Sequence, residues 1–399
     1  MTLDRARLAA IADGLAVAVA VSLPWSTSAT SILVALWALA LAPTLAPRAL
    51  GAALKTAAGG LPVALFAFGV IGVAWADVPW SARLEGAISF LKLLVIPLLL
   101  AQFQGSDRGR AVLVGFLVSA TALLAASWLS VLVPGLPWTG KQPGVPVKDY
   151  IAQSAVFTLC LFALLDMIIE AWRDGRRRDA LLRLALALPF ALNIVFVATA
   201  RTTLVAIAAL LVLLGLRRFE RRQLALFFAG AAVLAAAAWA ASPYLRQRVT
   251  NVAAEIDIYR TSGQDTSAGA RIDFWTRSVA IMREAPLFGH GTGSIRASFA
   301  RLAGEDSATN PHNQTFAVGL QLGLAGIAVL IVMWGAHWWL FAAPGLASWI
   351  GMAVVSQNIV GSLFNSHLFD FTPGWIYAFG VGVAGGMVLR ARAERALAG

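Results

Sequence analysis

Apolar runs of close to twenty residues recur along this chain from end to end, and the short segments between them carry most of its charge. No other feature constrains the fold as strongly. Backbone in a bilayer must satisfy its own N–H and C=O groups, so a run of about 20 apolar residues crosses as a helix. The sequence predicts twelve such spans, at roughly 8–24, 28–46, 61–76, 86–104, 111–133, 150–169, 184–200, 202–216, 223–241, 316–340, 345–363 and 373–390. Hydrophobic residues fill 59% of the 399 positions and charged residues only 13%, against about 25% charged in a soluble domain. The expectation is an all-α polytopic membrane protein. Met1 to Pro24 reads as a first span rather than a cleaved leader, and the single cysteine, Cys160, excludes an intrachain disulfide framework.

A net charge of +11 raises the question of nucleic acid, but the basic residues are grouped between spans. Arg5 and Arg7, Arg48 and Lys55, Arg108 and Arg110, the cluster Arg173 to Arg183, Arg217 to Arg222, and Arg390 to Arg395 all fall on one side of a twelve-span bundle. That is the positive-inside pattern. It predicts cytoplasmic termini, membrane lipids as surroundings and no nucleic-acid partner. The opposite side carries loops 77–85, 134–149, 242–315 and 364–372. The longest divides the chain into a nine-helix bundle (1–241), an outer loop (242–315) and three last helices with a cytoplasmic tail (316–399). Within the loop, 269–285 predicts an amphipathic helix with Ile272, Trp275, Val279 and Met282 on one face.

The stretch Asn310 to Gly326, NPHNQTFAVGLQLGLAG, marks where the polar loop ends and a membrane helix begins. Asn310 suits an N-cap and Pro311 the first helical position. His312 would then lie in the first turn, where unpaired amides and the helix dipole disfavour imidazolium. Such a residue is either a polar helix cap or a neutral general base. Arg201, in ATARTTL between two apolar runs, calls for a partner or ligand, or snorkels at a helix end. Lys92 and Asp166 lie inside apolar spans, and Lys92 is a candidate contact to a lipid-linked phosphate, as is Arg83 on the loop before it. Trp80, Trp138, Lys141 and Lys148 are candidate sugar contacts or interfacial residues. Metal chemistry has little to build on: Glu255-Ile256-Asp257 is a single ExD on a charged loop, and Gly289 to Gly293 reads as a tight turn more readily than as a phosphate cradle.

His312-Asn313, the apolar run after it, and Gly319, Leu322, Gly323 and Gly326 resemble the C-terminal signature of the O-antigen ligase and polymerase family, which includes the bacterial O-oligosaccharyltransferases. The resemblance covers mainly 184–330. The family carries an arginine in an A-R-T-like context at the start of a span, matching Arg201, and a loop arginine before an aromatic-containing helix, matching Arg271 in GARIDFW. It implies a GT-C-like glycosyltransferase needing no metal or other cofactor. The expected donor is O-antigen linked to undecaprenyl pyrophosphate, and the expected acceptor is lipid A–core at the periplasmic face. His312 would be the catalytic base, Arg201 and Arg271 would bind the pyrophosphate, and Asn313, Arg83 and Lys92 would add substrate contacts. An arginine fork neutralises departing phosphate, and a base activates a sugar hydroxyl. The chain lacks the extra C-terminal segment common in protein-glycosylating relatives, which favours a ligase. A polymerase or O-oligosaccharyltransferase would use the same donor. A proton-coupled transporter working through Lys92 and Asp166 is the rival from another class.

Overall fold

The computed structural model describes residues 4–133, 135, 142–262, 266–303 and 310–398. Trp138 and Lys141 lie outside them. Among the described residues seventeen α-helices follow one another: α1 (Arg5–Ser22), α2 (Thr27–Leu41), α3 (Pro47–Lys55), α4 (Ala57–Ile71), α5 (Trp80–Phe90), α6 (Val95–Gly105), α7 (Gly109–Leu132), α8 (Tyr150–Arg173), α9 (Arg177–Phe196), α10 (Arg201–Arg218), α11 (Arg221–Ala241), α12 (Pro243–Ser262), α13 (Ser267–Glu284), α14 (Ile295–Ala303), α15 (Gln314–Leu340), α16 (Leu346–Ser362) and α17 (Phe371–Ala398). The protein is an all-α polytopic membrane protein. Each of the twelve expected spans falls on a helix, with α5 and α6 joined through a 3₁₀ turn at Leu91–Leu94 into one crossing. Among the described residues, eight helices are long and apolar enough to cross a membrane by length and composition. Of the other four, α2 and α16 are short, while α1 and α10 carry charges: Arg5, Arg7 and Asp13 in α1, and Arg201, Arg217 and Arg218 in α10.

Local chemistry sets the helix ends. Asp149 Oδ1 caps α8 by accepting from Ile151 N at 2.8 Å and Ala152 N at 2.9 Å. Gly175, at φ 75°, turns the chain into α9. Packing then sorts inside from rim. The apolar stretches of α8 and α17 are 67% and 72% buried, and that of α11 is 0% buried, so α8 and α17 form the interior and α11 the lipid-facing edge. A Cβ at Gly382 or Gly386 of α17 would sit within 2.7 Å of Leu99 or Phe103 of α6; small residues allow these backbones their close approach.

Several polar side chains inside the bundle are paired with one another, where lipid offers them no partner. Gln102 accepts from Trp37 Nε1 at 2.9 Å and donates to Asp13 at 2.8 Å, linking α1, α2 and α6. His337 is fully buried. It donates from Nε2 to Ala58 O at 2.8 Å and accepts at Nδ1 from Tyr377 at 2.6 Å, joining α4, α15 and α17. Asp166 is also fully buried and receives two bonds from Arg218, at 2.5 and 2.6 Å. This pair locks α8 to α10.

α15 is broken. Gly323 has φ 63° and ψ −161°, a conformation that L side chains avoid. The backbone groups freed by the break bond to the segment after α13. His290 N donates to Leu320 O and Gly291 N to Gln321 O, both at 2.9 Å, while Leu324 N and Ala325 N donate to Pro286 O and Leu287 O. Gly293 N bonds the Gln321 side chain at 2.8 Å and Thr292 N the carbonyl of Gly72 at 3.0 Å. The glycine run 289–293 is thus a brace against the outer ends of α4 and α15, with its amides in use, and not an open phosphate cradle.

Candidate active site

The start of α15 differs from the expected cap by three residues. Asn313, not Asn310, is the N-cap: its Oδ1 accepts from Thr315 N at 2.9 Å and Phe316 N at 3.2 Å. Its Nδ2 donates to Leu363 O at 3.1 Å. Both ends of this side chain are engaged within the protein, which leaves one Nδ2 hydrogen for the expected substrate contact. His312 therefore stands just outside the helix, with φ 49°, a left-handed backbone that costs a β-carbon-bearing residue about 1–3 kcal/mol. Asn310 holds that turn, accepting from His312 N at 2.9 Å and from Ser366 Oγ at 2.7 Å.

The imidazole is fixed on two sides. Its ring stacks on Phe274 of α13, with centroids 5.8 Å apart and planes 20° from parallel. Its Nδ1 lies 3.0 Å from Asn365 Oδ1. With the amide oxygen facing it, Nδ1 carries the hydrogen and the Nε2 lone pair is left to accept a proton. The orientation comes from this Nδ1–Asn365 bond, since Asn313 occupies the helix amides that were expected to act on the ring.

Asn365 belongs to the loop between α16 and α17, which several bonds hold in place. Gln314 Oε1 accepts from Leu368 N at 2.9 Å and Phe369 N at 3.2 Å. Lys92 Nζ donates to the carbonyls of Phe369 and Asp370, both at 2.7 Å. Lys92 is 8% exposed, so it anchors the loop that presents Asn365, in place of the expected phosphate contact. Burial raises the Asp370 carboxyl to about 6 and lowers the His367 imidazole of the same loop to about 4. Arg83 is likewise turned inward: it donates from Nε to Val78 O at 2.8 Å and from Nη1 to Val73 O at 3.1 Å, and its guanidinium lies over Trp80. These bonds brace its own turn.

The two remaining arginines sit at the far end of α13. Arg201, the first residue of α10, makes a fork with Glu255 of α12, at 2.9 and 2.5 Å, and donates from Nε to Arg248 O at 2.9 Å. Glu255 Oε2 also accepts from Ala268 N at 3.1 Å in the first turn of α13. Arg201 beside it holds its carboxyl below the ordinary value. Arg271 lies one turn further along α13. Burial pushes its guanidinium down, and the charges of Arg201 and Glu255 both reach it. Its Nε and the Nε1 of Trp275 are buried donors with no hydrogen-bond partner among the described residues, the condition expected of groups awaiting a ligand.

α13 is thus the ruler of the site. Ala268 meets the Arg201–Glu255 pair, Arg271 follows, and Phe274 reaches His312; six residues of helix make this about 9 Å. Its buried face differs from the expected one. Ser278 and Ile281 are buried, with Phe274 and Met282 packed against Phe299 and Leu320. Ile272 and Val279 are 36% and 39% exposed. The helix is clamped by α14 and α15, and that packing overrides the simple apolar stripe. Asn365, Phe274, Tyr150 and Glu255 complete the cluster. Only Glu255 stands out in the sequence, and there it reads as a solvated charge. Among the described residues, no group of three or more His, Cys, Asp or Glu could hold a metal ion.

No curated protein matches the chain. Residues 184–331 match the family model described as O-antigen ligase, a region that contains Arg201, Arg271 and His312 but neither Lys92 nor the Asn365 loop. Over that stretch the chain is similar to the O-antigen ligase family.

Proposed function

We propose that this protein is an O-antigen ligase that transfers O-polysaccharide from undecaprenyl pyrophosphate to lipid A–core at the periplasmic face of the bacterial inner membrane. Both termini are cytoplasmic in this reading, and 242–315 is the periplasmic segment. The observation that carries it is the gathering around α13 of His312, its Nε2 without a partner among the described residues, and two arginines, of which Arg271 has a buried donor unpaired among those residues and Arg201 reaches the helix through Glu255. Arg201 and Arg271 bind the pyrophosphate oxygens, Arg201 exchanging Glu255 for the ligand. His312 Nε2 takes the proton of the acceptor hydroxyl as its oxygen attacks the anomeric carbon. The bond from that carbon to the phosphate oxygen breaks on the opposite face, its electron pair leaves with the lipid pyrophosphate, and the anomeric centre inverts. Charge neutralisation at the leaving group and a base at the nucleophile are the two demands of this step, and no metal enters it. Asn365 is a positioning residue that keeps the ring tautomer.

The test is reconstitution. Purified protein in lipid is mixed with lipid-linked O-antigen and lipid A–core, with and without chelator, beside His312→Ala and Asn365→Ala. The expected result is a gel shift of the lipid A–core band that survives chelator, is lost in His312→Ala and is weakened in Asn365→Ala. Longer lipid-linked glycans without that shift would make the protein an O-antigen polymerase. Neither product from folded wild type would overturn glycosyl transfer.

A further inference from the structure

A cavity lies far from this cluster. It holds about 480 Å³ between α1, α7, α8, α16 and α17. Its walls are apolar along most of their length, with Leu117, Leu159, Phe379 and Val383 among them, and its polar residues gather at one mouth as Arg110, Arg176, Arg183 and Glu170. Those four sit at the start of α7, the end of α8 and the start of α9, all on the basic side of the bundle. From Tyr150, beside the Arg201 cluster, to Glu170 at this mouth, α8 rises about 30 Å, so the cavity is no extension of the candidate active site. Along α17 it runs from Ile376 to Met387. Eleven residues of helix make about 16 Å, close to the ~15 Å that is half of a bilayer's hydrocarbon core.

The mouth has charge to spare. Arg176 is matched by Asp174 at 2.7 Å and Asp179 at 3.3 Å, and Glu170 faces Arg218 at 3.7 Å. Arg183 spends Nη1 on Met167 O at 2.9 Å and keeps its other donors. Arg110 is exposed and makes no side-chain hydrogen bond or ion pair among the described residues. Two arginines with donors in hand, at the rim of a hydrocarbon-lined slot one leaflet deep, match one phosphodiester and one acyl chain. A slot of this size left empty would forfeit the dispersion contacts of its lining.

We propose that this cavity is a binding site for one anionic phospholipid of the leaflet on the basic side, its acyl chain between α7 and α17 and its phosphate on Arg110 and Arg183. The lipid fills the gap that α7 leaves as it packs on α1. The proposal does not depend on the glycosyl-transfer reading.

The test uses the full chain reconstituted with equal phosphatidylglycerol and phosphatidylethanolamine, the former carrying a photoreactive group at the end of one acyl chain. Native mass spectrometry counts retained lipid, and crosslinked peptides locate it. The wild type should retain one phosphatidylglycerol in preference to phosphatidylethanolamine, crosslinked within 159–167 or 376–387. Ala163→Phe, which fills the slot, should cut retention at least fivefold. Arg110→Gln with Arg183→Gln, at the rim, should keep a bound lipid and lose the preference for phosphatidylglycerol. Arg201→Ala should retain lipid as the wild type does. Equal retention by Ala163→Phe, no headgroup preference in the wild type, crosslinks confined to other helices, or displacement by added undecaprenyl phosphate at equal concentration would each overturn the proposal.

Discussion

α10 begins and ends with an arginine, and each grips a carboxylate with a two-pronged hydrogen bond. At one end Arg218 meets Asp166, which is 0% exposed and lies on the neighbouring membrane helix α8. At the other Arg201 meets Glu255, both sides about a quarter exposed, on the loop helix α12. The chemistry is the same and the consequences differ. A fully buried carboxylate on a packed helix cannot leave its arginine, so the Arg218 pair is a lock. A carboxylate at a water-accessible edge, with a second arginine nearby, can be replaced by another anion, so in the proposed function the Arg201 pair is a clamp with a resident stand-in. Burial and the mobility of the partner element decide which use an ion pair has.

The largest expected effect is on turnover at the clamp. Arg201→Ala should slow transfer by about 100- to 1,000-fold, the effect of removing one charge-stabilising donor group, with folding stability changed by less than about 1 kcal/mol because the pair is partly exposed. Steady-state transfer and thermal unfolding of the same preparation read both. At the lock the pattern reverses. Asp166→Asn removes the buried carboxylate and leaves Arg218, 19% exposed, with Glu170 at 3.7 Å as its remaining anion; it should destabilise the protein by roughly 3 kcal/mol, while the folded fraction transfers at the wild-type rate. If the variant folds normally and loses activity, the contrast breaks and a proton-carrying role for Asp166 returns. A smaller effect distinguishes a stand-in from a positioning group. Glu255→Gln should tighten pyrophosphate binding by about tenfold, or about 1.4 kcal/mol, in a titration with inorganic pyrophosphate; weaker binding would mean that Glu255 sets the pose of Arg201. The smallest effect is on pH. The folded-state value of Glu255 lies below its ordinary 4.5, so the pair's contribution is fully present above pH 4.5 and is lost as pH falls through the lower folded value. The difference in thermal midpoint between wild type and Glu255→Gln should therefore be flat from pH 7 to about 5 and shrink below that.

Spans were legible in the sequence because hydrocarbon imposes a length and a composition on every crossing, and each expected segment lies on a helix. Arg201, Arg271 and His312 stood out through a family resemblance confined to 184–330; Arg271 lies on α13, His312 stacks on Phe274 of that helix, and Arg201 holds the Glu255 that meets its first turn. Their partners were not legible. Asn365 lies 53 residues after His312 and reaches it only because Lys92 and Gln314 hold the intervening loop. The helix cap was misplaced since Asn310 and Asn313 are equally good caps by type, and only the turn at His312 separates them. Lys92 and Arg83 read as free charges because a sequence does not show which carbonyls a fold will bring within reach. The same limit hid the break at Gly323, whose freed amides and carbonyls bond to residues thirty or more positions earlier.

The most direct test of the comparison is binding of undecaprenyl pyrophosphate to wild type, Arg201→Ala and Arg218→Lys in lipid nanodiscs, with folding checked by thermal unfolding in each. The account predicts a dissociation constant at least ten times weaker in Arg201→Ala and unchanged in folded Arg218→Lys. Wild-type affinity in Arg201→Ala, or loss of binding in a folded Arg218→Lys, would contradict it.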